Sequence, residues 1–113
     1  MTKNLRPVVI GCVLALLSFG AASFKLAKTI PIGGEGGWDY LYADSVNRRL
    51  YVSHATEVEV LDLNTDALIG KISNTNGVHG VAVADELQRG FVSDGRDNQV
   101  TIFDTKTLAV TPL

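Results

Sequence analysis

The chain has 113 residues, 46% of them hydrophobic and 19% charged, with a formal net charge of −2 and a pI near 5.5. That length and balance allow one small globular domain and exclude a disordered chain, a collagen-like chain or a bundle of several membrane spans. The acid excess, with no basic run anywhere, argues against nucleic acid as the main partner.

The N-terminus is read first because it must be set aside before the fold. "MTKNLRP" carries Lys3 and Arg6 with no acid, residues 8–19 ("VVIGCVLALLSF") are an unbroken apolar run, and "GAAS" follows with small side chains. A positive head, a short apolar stretch and a small-residue tail predict a secretory signal peptide over residues 1–22, cut after Ala22 or Ser23. The rival is an uncleaved membrane anchor, since residues 8–24 approach the lower length limit for a span. "VIGC" resembles a lipoprotein cleavage box but stands at the start of the apolar run rather than its end. The expected location is therefore periplasmic or secreted, with inner-membrane anchoring as the alternative, and no stable span is expected after cleavage. Cys12 is the single cysteine and leaves with the signal, so the mature part has no disulfide, no thiolate metal site and no haem attachment motif. Losing Lys3 and Arg6 takes its charge to about −4.

Residues 23–35 contain "FKLAKTIPI", a leading β-type segment whose "LAKTI" parallels "LIGKI" further on. Residues 36–76 then hold four short segments rich in Val, Ile, Leu and Tyr: "WDYLYA", "RLYVSH", "EVEVLDL" and "ALIGKI". Residues 77–113 hold four more: "GVAVA", "GFVSD", "QVTIFD" and "LAVTPL". Asp, Asn, Gly and Thr separate them, as between strands. The two units align at an offset of about 40 to 42 residues, matching "GGWDYLYAD" with "GVHGVAVAD", Arg49 with Arg89, Ser53 with Ser93, Asp62 with Asp104 and Thr65 with Thr107. Insertions fall after Asp44 and Asp85 and after Ser53 and Ser93, as expected of loops. No 3.6-residue stripe follows the signal, so helices are not expected. Several strands are apolar on both faces, which suits a sheet sandwiched between neighbours. Four-stranded antiparallel sheets repeating every 40 residues or so predict an all-β chain of β-propeller blades.

"RRLYVSHATEVEVLDLNT" (residues 48–65) and "RGFVSDGRDNQVTIFDTKT" (residues 89–107) resemble the YVTN β-propeller repeat, with Tyr51-Val52-Ser53 and Phe91-Val92-Ser93 in its name-giving positions. The resemblance extends from Phe24 to Leu113. It implies a ring of about seven blades, roughly 280 residues at this repeat length, of which this chain would be the N-terminal piece: a leading outer strand, one blade and an incomplete second. The remaining blades of the same chain, or self-association, would cover its open ends.

Antiparallel order puts two sets of loops at opposite rims. On one rim the copies agree, pairing Ala43-Asp44 with Ala84-Asp85 and Asp62-x-x-Thr65 with Asp104-x-x-Thr107; such residues cap turns through side-chain to backbone hydrogen bonds. On the other rim the copies differ, and differing loops are where repeat arrays bind. That rim collects the binding candidates Trp38, Asp39, His54, His79, Asp94, Arg96, Asp97 and Asn98. Arg96 and Asp97 suit an anionic or polar ligand, or simply an internal pair within a hairpin loop begun by Asp94-Gly95. Trp38 offers a flat apolar contact, or a packing wedge between blades. His54 and His79 lack the spacing of a metal site, which needs three or four converging groups, so no metal ligand set is expected. "GGEGG" (residues 33–37) has neither the Gly-Lys-Ser/Thr nor the helix of a phosphate loop and reads as a turn requiring positive φ. Ser53 and Ser93 have no base beside them.

The leading expectation is an exported scaffold that binds a small ligand or a protein through the variable rim, with no catalytic residue and no cofactor. The alternative is the N-terminal part of a propeller enzyme, quinone-dependent or metal-dependent as the resemblance implies, whose site the missing blades would complete.

Overall fold

The structure, a computed structural model, describes residues 23–112; the expected signal peptide, with Cys12, lies outside the described residues. The chain forms two antiparallel sheets. The first runs β1 (Trp38–Asp44), β2 (Arg49–His54), β3 (Glu57–Asp62) and β4 (Leu68–Ser73) in that spatial order, and the second runs β5 (Val78–Ala84), β6 (Arg89–Asp94) and β7 (Gln99–Asp104). Within each sheet every strand pairs with the next in sequence through a short hairpin or turn, and residues 74–77 carry the chain from β4 in the first sheet to β5 in the second. A single 3-10 turn at Asp85–Leu87 is the exception to an otherwise all-β description. No helix among the described residues is long and apolar enough to cross a membrane.

Because side chains alternate across a strand, the register divides each sheet into two faces. On one face of the first sheet stand Tyr42, Tyr51, Val58, Val60 and Ile72, linked by the pairs Tyr42 with Tyr51, Tyr51 with Val60 and Val58 with Ile72. This face packs on the side of the second sheet that carries Val78, Val81, Val83, Val92 and Phe103, and together they make the core. The Tyr51 and Phe103 rings meet across the contact with centroids 5.7 Å apart. Ser53 Oγ donates a 2.6 Å hydrogen bond to the His79 carbonyl, and the Leu108 side chain lies on Gly70, where a Cβ would collide with it. Gly90 is a second enforced small residue, because the Phe103 ring covers the space its Cβ would take. The largest approach between the sheets is β1 against β5.

The register corrects the repeat alignment by one residue at its start. Asp44 lies opposite Arg49, whereas Ala84, not Asp85, lies opposite Arg89. Trp38 is therefore equivalent to Val78, and Asp39 to His79. Both connections are four residues long, residues 45–48 and 85–88, so the insertion expected there is absent. They close differently, Asp44 Oδ1 accepting from the Val46 and Asn47 amides at 3.0 Å in the first and the 3-10 turn at Asp85–Leu87 closing the second. Asp85 instead receives the Asn47 side-chain amide from the first unit.

The other paired turns match closely. Asp62 Oδ1 accepts from the amides of Asn64 (2.7 Å) and Thr65 (2.9 Å), and Asp104 Oδ1 from those of Lys106 (2.9 Å) and Thr107 (2.8 Å). The threonine hydroxyls donate to the same oxygens at 3.2 and 3.1 Å. The backbone repeats as well: Asp66 and Leu108 take φ of 60° and 63°, and Arg48 and Gln88 take 55° and 51°. The turn-capping reading of these residues is what the geometry contains.

Two expected strands differ. Residues 24–32 form no strand; Phe24 and Leu26 are exposed, and Lys28 pairs with Asp66. A strand needs a ladder partner, and likeness to β4 in sequence supplies none. After β7 the chain returns along it but bridges at one position, Phe103 with Val110, with the Thr111 amide on the Ile102 carbonyl at 2.8 Å.

The backbone amides of Asn64 and Thr65 hold the Asp62 carboxyl below its ordinary range, and those of Thr107 and Lys106 do the same for Asp104. A carboxyl depressed by folding adds stability that is complete above its unfolded value of about 3.9 and is lost as pH falls through the lower folded value. The double variant D62N/D104N keeps an acceptor oxygen at each turn but loses the charge. Its urea midpoint should fall below the parent's above about pH 4 and converge on it in more acidic solution; a gap that stays constant down to the acid limb would contradict this account.

Candidate functional site

Four segments meet at the rim where β1 and β5 begin: the one before β1 and the β2–β3, β4–β5 and β6–β7 loops. Their backbones are stitched in sequence: the Ala55 amide donates to the Gly37 carbonyl, the Gly77 amide to the Ala55 carbonyl and the Gly95 amide to the Gly77 carbonyl, each at 2.9 Å. The stitching leaves an open cleft of about 580 Å³ between the sheets, lined by Trp38, Asp39, His79 and Arg96 among backbone from Gly36, Gly37, Ala55, Gly77 and Gly95. Four of the eight sequence candidates thus share one cleft.

Asp39 and His79 hold equivalent positions in the two sheets and meet across the cleft, with the carboxylate against His79 Nδ1 at 2.5 Å. Both side chains are partly exposed, so water still reaches the pair. Arg96 arrives from the loop between β6 and β7. Its stem crosses Gly77, whose φ of +65° and close contact with Arg96 Cγ leave no room for a side chain. The expected Arg–Asp pair within that loop does not form: Asp97 accepts from Asn76 Nδ2 at 2.9 Å instead. Among the described residues no carboxylate lies within salt-bridge reach of the Arg96 guanidinium. Asn98, at φ 51°, closes the turn before β7 and lies outside the cleft.

His54 and Asp94 do not project from the rim. They end β2 and β6 at equivalent positions, and both are buried, each 1% exposed. Asp94 Oδ2 accepts from the Thr101 hydroxyl at 2.5 Å. His54 Nδ1 sits 3.2 Å from Oε1 of Glu59, itself fully buried, and Lys71 Nζ reaches Glu57 at 2.7 Å and Glu59 at 3.4 Å. His54, Glu57 and Glu59 offer three ligand atoms within 4.8 Å of one another. The Lys71 ammonium, however, already serves both carboxylates, and its pKa is raised chiefly by the hydrogen bond to Glu57. The cluster therefore reads as a neutralised buried network. Glu57 and Glu59 escaped the sequence reading because "EVEV" shows only that they share a face. That His54 shares it too depends on the β2–β3 register.

Trp38 is not a wedge between the sheets. Its indole stacks on the His54 imidazole, with centroids 3.7 Å apart and planes 8° from parallel, and remains half exposed. Gly34 presses on the imidazole: at φ +100° it brings its backbone so close that a Cβ would overlap His54 Cε1. The glycine run thus seats on His54 and delivers Trp38 and Asp39 to the cleft, a role for positive φ rather than for phosphate binding.

The G34A variant tests this seating. Both the steric overlap and the strained φ oppose an alanine, so the loss should be about 1–3 kcal/mol, accompanied by a shift in emission from Trp38, the chain's single tryptophan. Unchanged melting and unchanged emission would show that the loop is held elsewhere.

Neither a protein-family model nor a curated protein nor a solved structure matches this chain.

Proposed function

We propose that the chain is part of an exported β-propeller of the YVTN repeat type and serves as a binding scaffold, taking a small anionic or polar ligand in the rim cleft. The observation that carries the reading is the Arg96 guanidinium, held over Gly77 with no carboxylate partner among the described residues, in a cleft that also presents Trp38 and the Asp39–His79 pair. A planar cation with five N–H donors recognises carboxylate and phosphate groups by paired hydrogen bonds. Trp38 adds an apolar surface beside it, and a pocket that is mostly backbone and aromatic with a few convergent polar groups is what a small-ligand site requires. The duplicated turns and matched sheets support a repeat architecture, and the N-terminal residues 1–22 support export.

Inorganic phosphate and benzoate are suitable probes, one anionic and one anionic with a flat ring, read by Trp38 fluorescence. At least one should give a saturable change. Because a hydrogen bond to a charged group contributes about 1.5–3 kcal/mol, R96A should weaken binding by roughly tenfold to a hundredfold. No saturable response to either probe, or equal affinity in R96A, would remove the cleft as the binding site.

A further inference from the structure

The face of the first sheet that turns away from the second carries a polar cluster. Glu57 and Glu59 alternate with Val58 and Val60 along β3, so both carboxylates stand on the side opposite the core. The register sets His54 opposite Glu57 and Lys71 opposite Glu59 on that same side. Strand pairing thus gathers an imidazole, two carboxylates and an ammonium near the turn of the β2–β3 hairpin. Ligand atoms of His54, Glu57 and Glu59 lie within 4.8 Å of one another. Lys71 serves the two acids unevenly. Its Nζ is 2.7 Å from the part-exposed Glu57 but 3.4 Å from Glu59, which is completely buried. The other oxygen, Glu59 Oε2, is buried and has no hydrogen-bond partner among the described residues. A buried carboxylate is costly unless its charge is paired and its oxygens are bonded. Here the more deeply buried acid has the longer contact.

We infer that His54, Glu57 and Glu59 bind a divalent transition-metal ion of the zinc type, which takes the place of the Lys71 ammonium. One imidazole with two carboxylates is a donor set that such ions accept, and three protein ligands leave a further position for Glu59 Oε2 or water. The spacing fits. Two ligand atoms on one tetrahedral Zn2+ stand roughly 3.4 Å apart, and His54 Nδ1 and Glu59 Oε1 are 3.2 Å apart. The two buried ligands are therefore in place, and the part-exposed Glu57 has the freedom to complete the set. The imidazole is also held in orientation, with Trp38 stacked on it and Gly34 close against it. Contacts that orient a ligand in advance favour metal binding. Lys71 neutralises the carboxylates in the metal-free chain. Its side chain is part-exposed, so it can return to solvent when an ion of twice its charge arrives. Trp38 also lines the rim cleft, but the metal site requires no ligand there.

The test is titration of the full chain, without a histidine tag, with Co2+ as a coloured stand-in for Zn2+. Binding is followed by visible absorption and by quenching of Trp38, whose ring lies against His54. The parent should bind one Co2+ with quenching, and Zn2+ should displace it. E57Q removes a ligand at a part-exposed position and should weaken binding about tenfold or more. K71M removes the competing ammonium and should tighten binding, whereas a Lys71 with only a structural role would leave the affinity unchanged or lower it. Zn2+ should raise the melting temperature of the parent more than that of E57Q. E57Q decides the question should K71M fail to fold. No binding by the parent or by K71M, equal affinity in E57Q, or an affinity in folded K71M no higher than the parent's would each overturn the inference.

Discussion

A short sheet that is apolar on both sides is stable in water when both sides are covered, and that constraint organises this chain. Tyr51 and Val60 on the first sheet and Val92 and Phe103 on the second are completely buried because the two sheets cover one another. Burial of this kind, at about 25 cal/mol per Å² of apolar surface, must hold a domain with no disulfide after residue 22. Each sheet is only three or four strands wide, too few to make a separate core. The contact between the two sheets is therefore the unit of stability. Gly70 and Gly90 belong to the same constraint: each is small because Leu108 or Phe103 fills the space above it.

The rim cleft depends on that contact too. Asp39 and His79 stand on different sheets, and the Arg96 stem crosses Gly77 to line the same cleft. Neither sheet alone would bring an acid, an imidazole and a guanidinium together. The backbone chain from Gly37 through Ala55 and Gly77 to Gly95 fixes the loops relative to one another without using any side chain, which leaves the side chains free to differ between the copies.

Much of this was legible in the residues. Strand segments, turn residues and the 40-residue periodicity are local signals, and local signals in a repeat are read twice, so an error in one copy is exposed by the other. The Asp62 and Asp104 turns could be read for that reason. What could not be read depends on register and on distance. The one-residue offset at Asp44 and Ala84 was hidden because Ala-Asp occurs in both copies, while the pairing is set by how each turn closes. The stack of Trp38 on His54, and the close approach of Gly34 to the same ring, join segments that have no periodic relation. The burial of His54 and Asp94 was obscured because a polar residue at a strand end looks like part of the loop. The leading segment resembled β4 in sequence, but likeness in sequence does not make a ladder, and it pairs with neither sheet.

The places where the copies disagree are also informative about why they disagree. When two equivalent positions face each other across a repeat contact, an exact copy would set like against like, Asp beside Asp or His beside His, and like charges at close range destabilise. Asp39 against His79 avoids that. The buried strand ends show the same principle in a different form. His54 with Glu59 and Asp94 with Thr101 occupy matching positions, and in each an acid finds a donor, although the acid has moved from one strand to the other. Polar groups buried in a sheet must be satisfied as pairs, so changing one partner obliges a change in the other. At these contacts chemical complementarity, rather than shape alone, decides which residues can stand together.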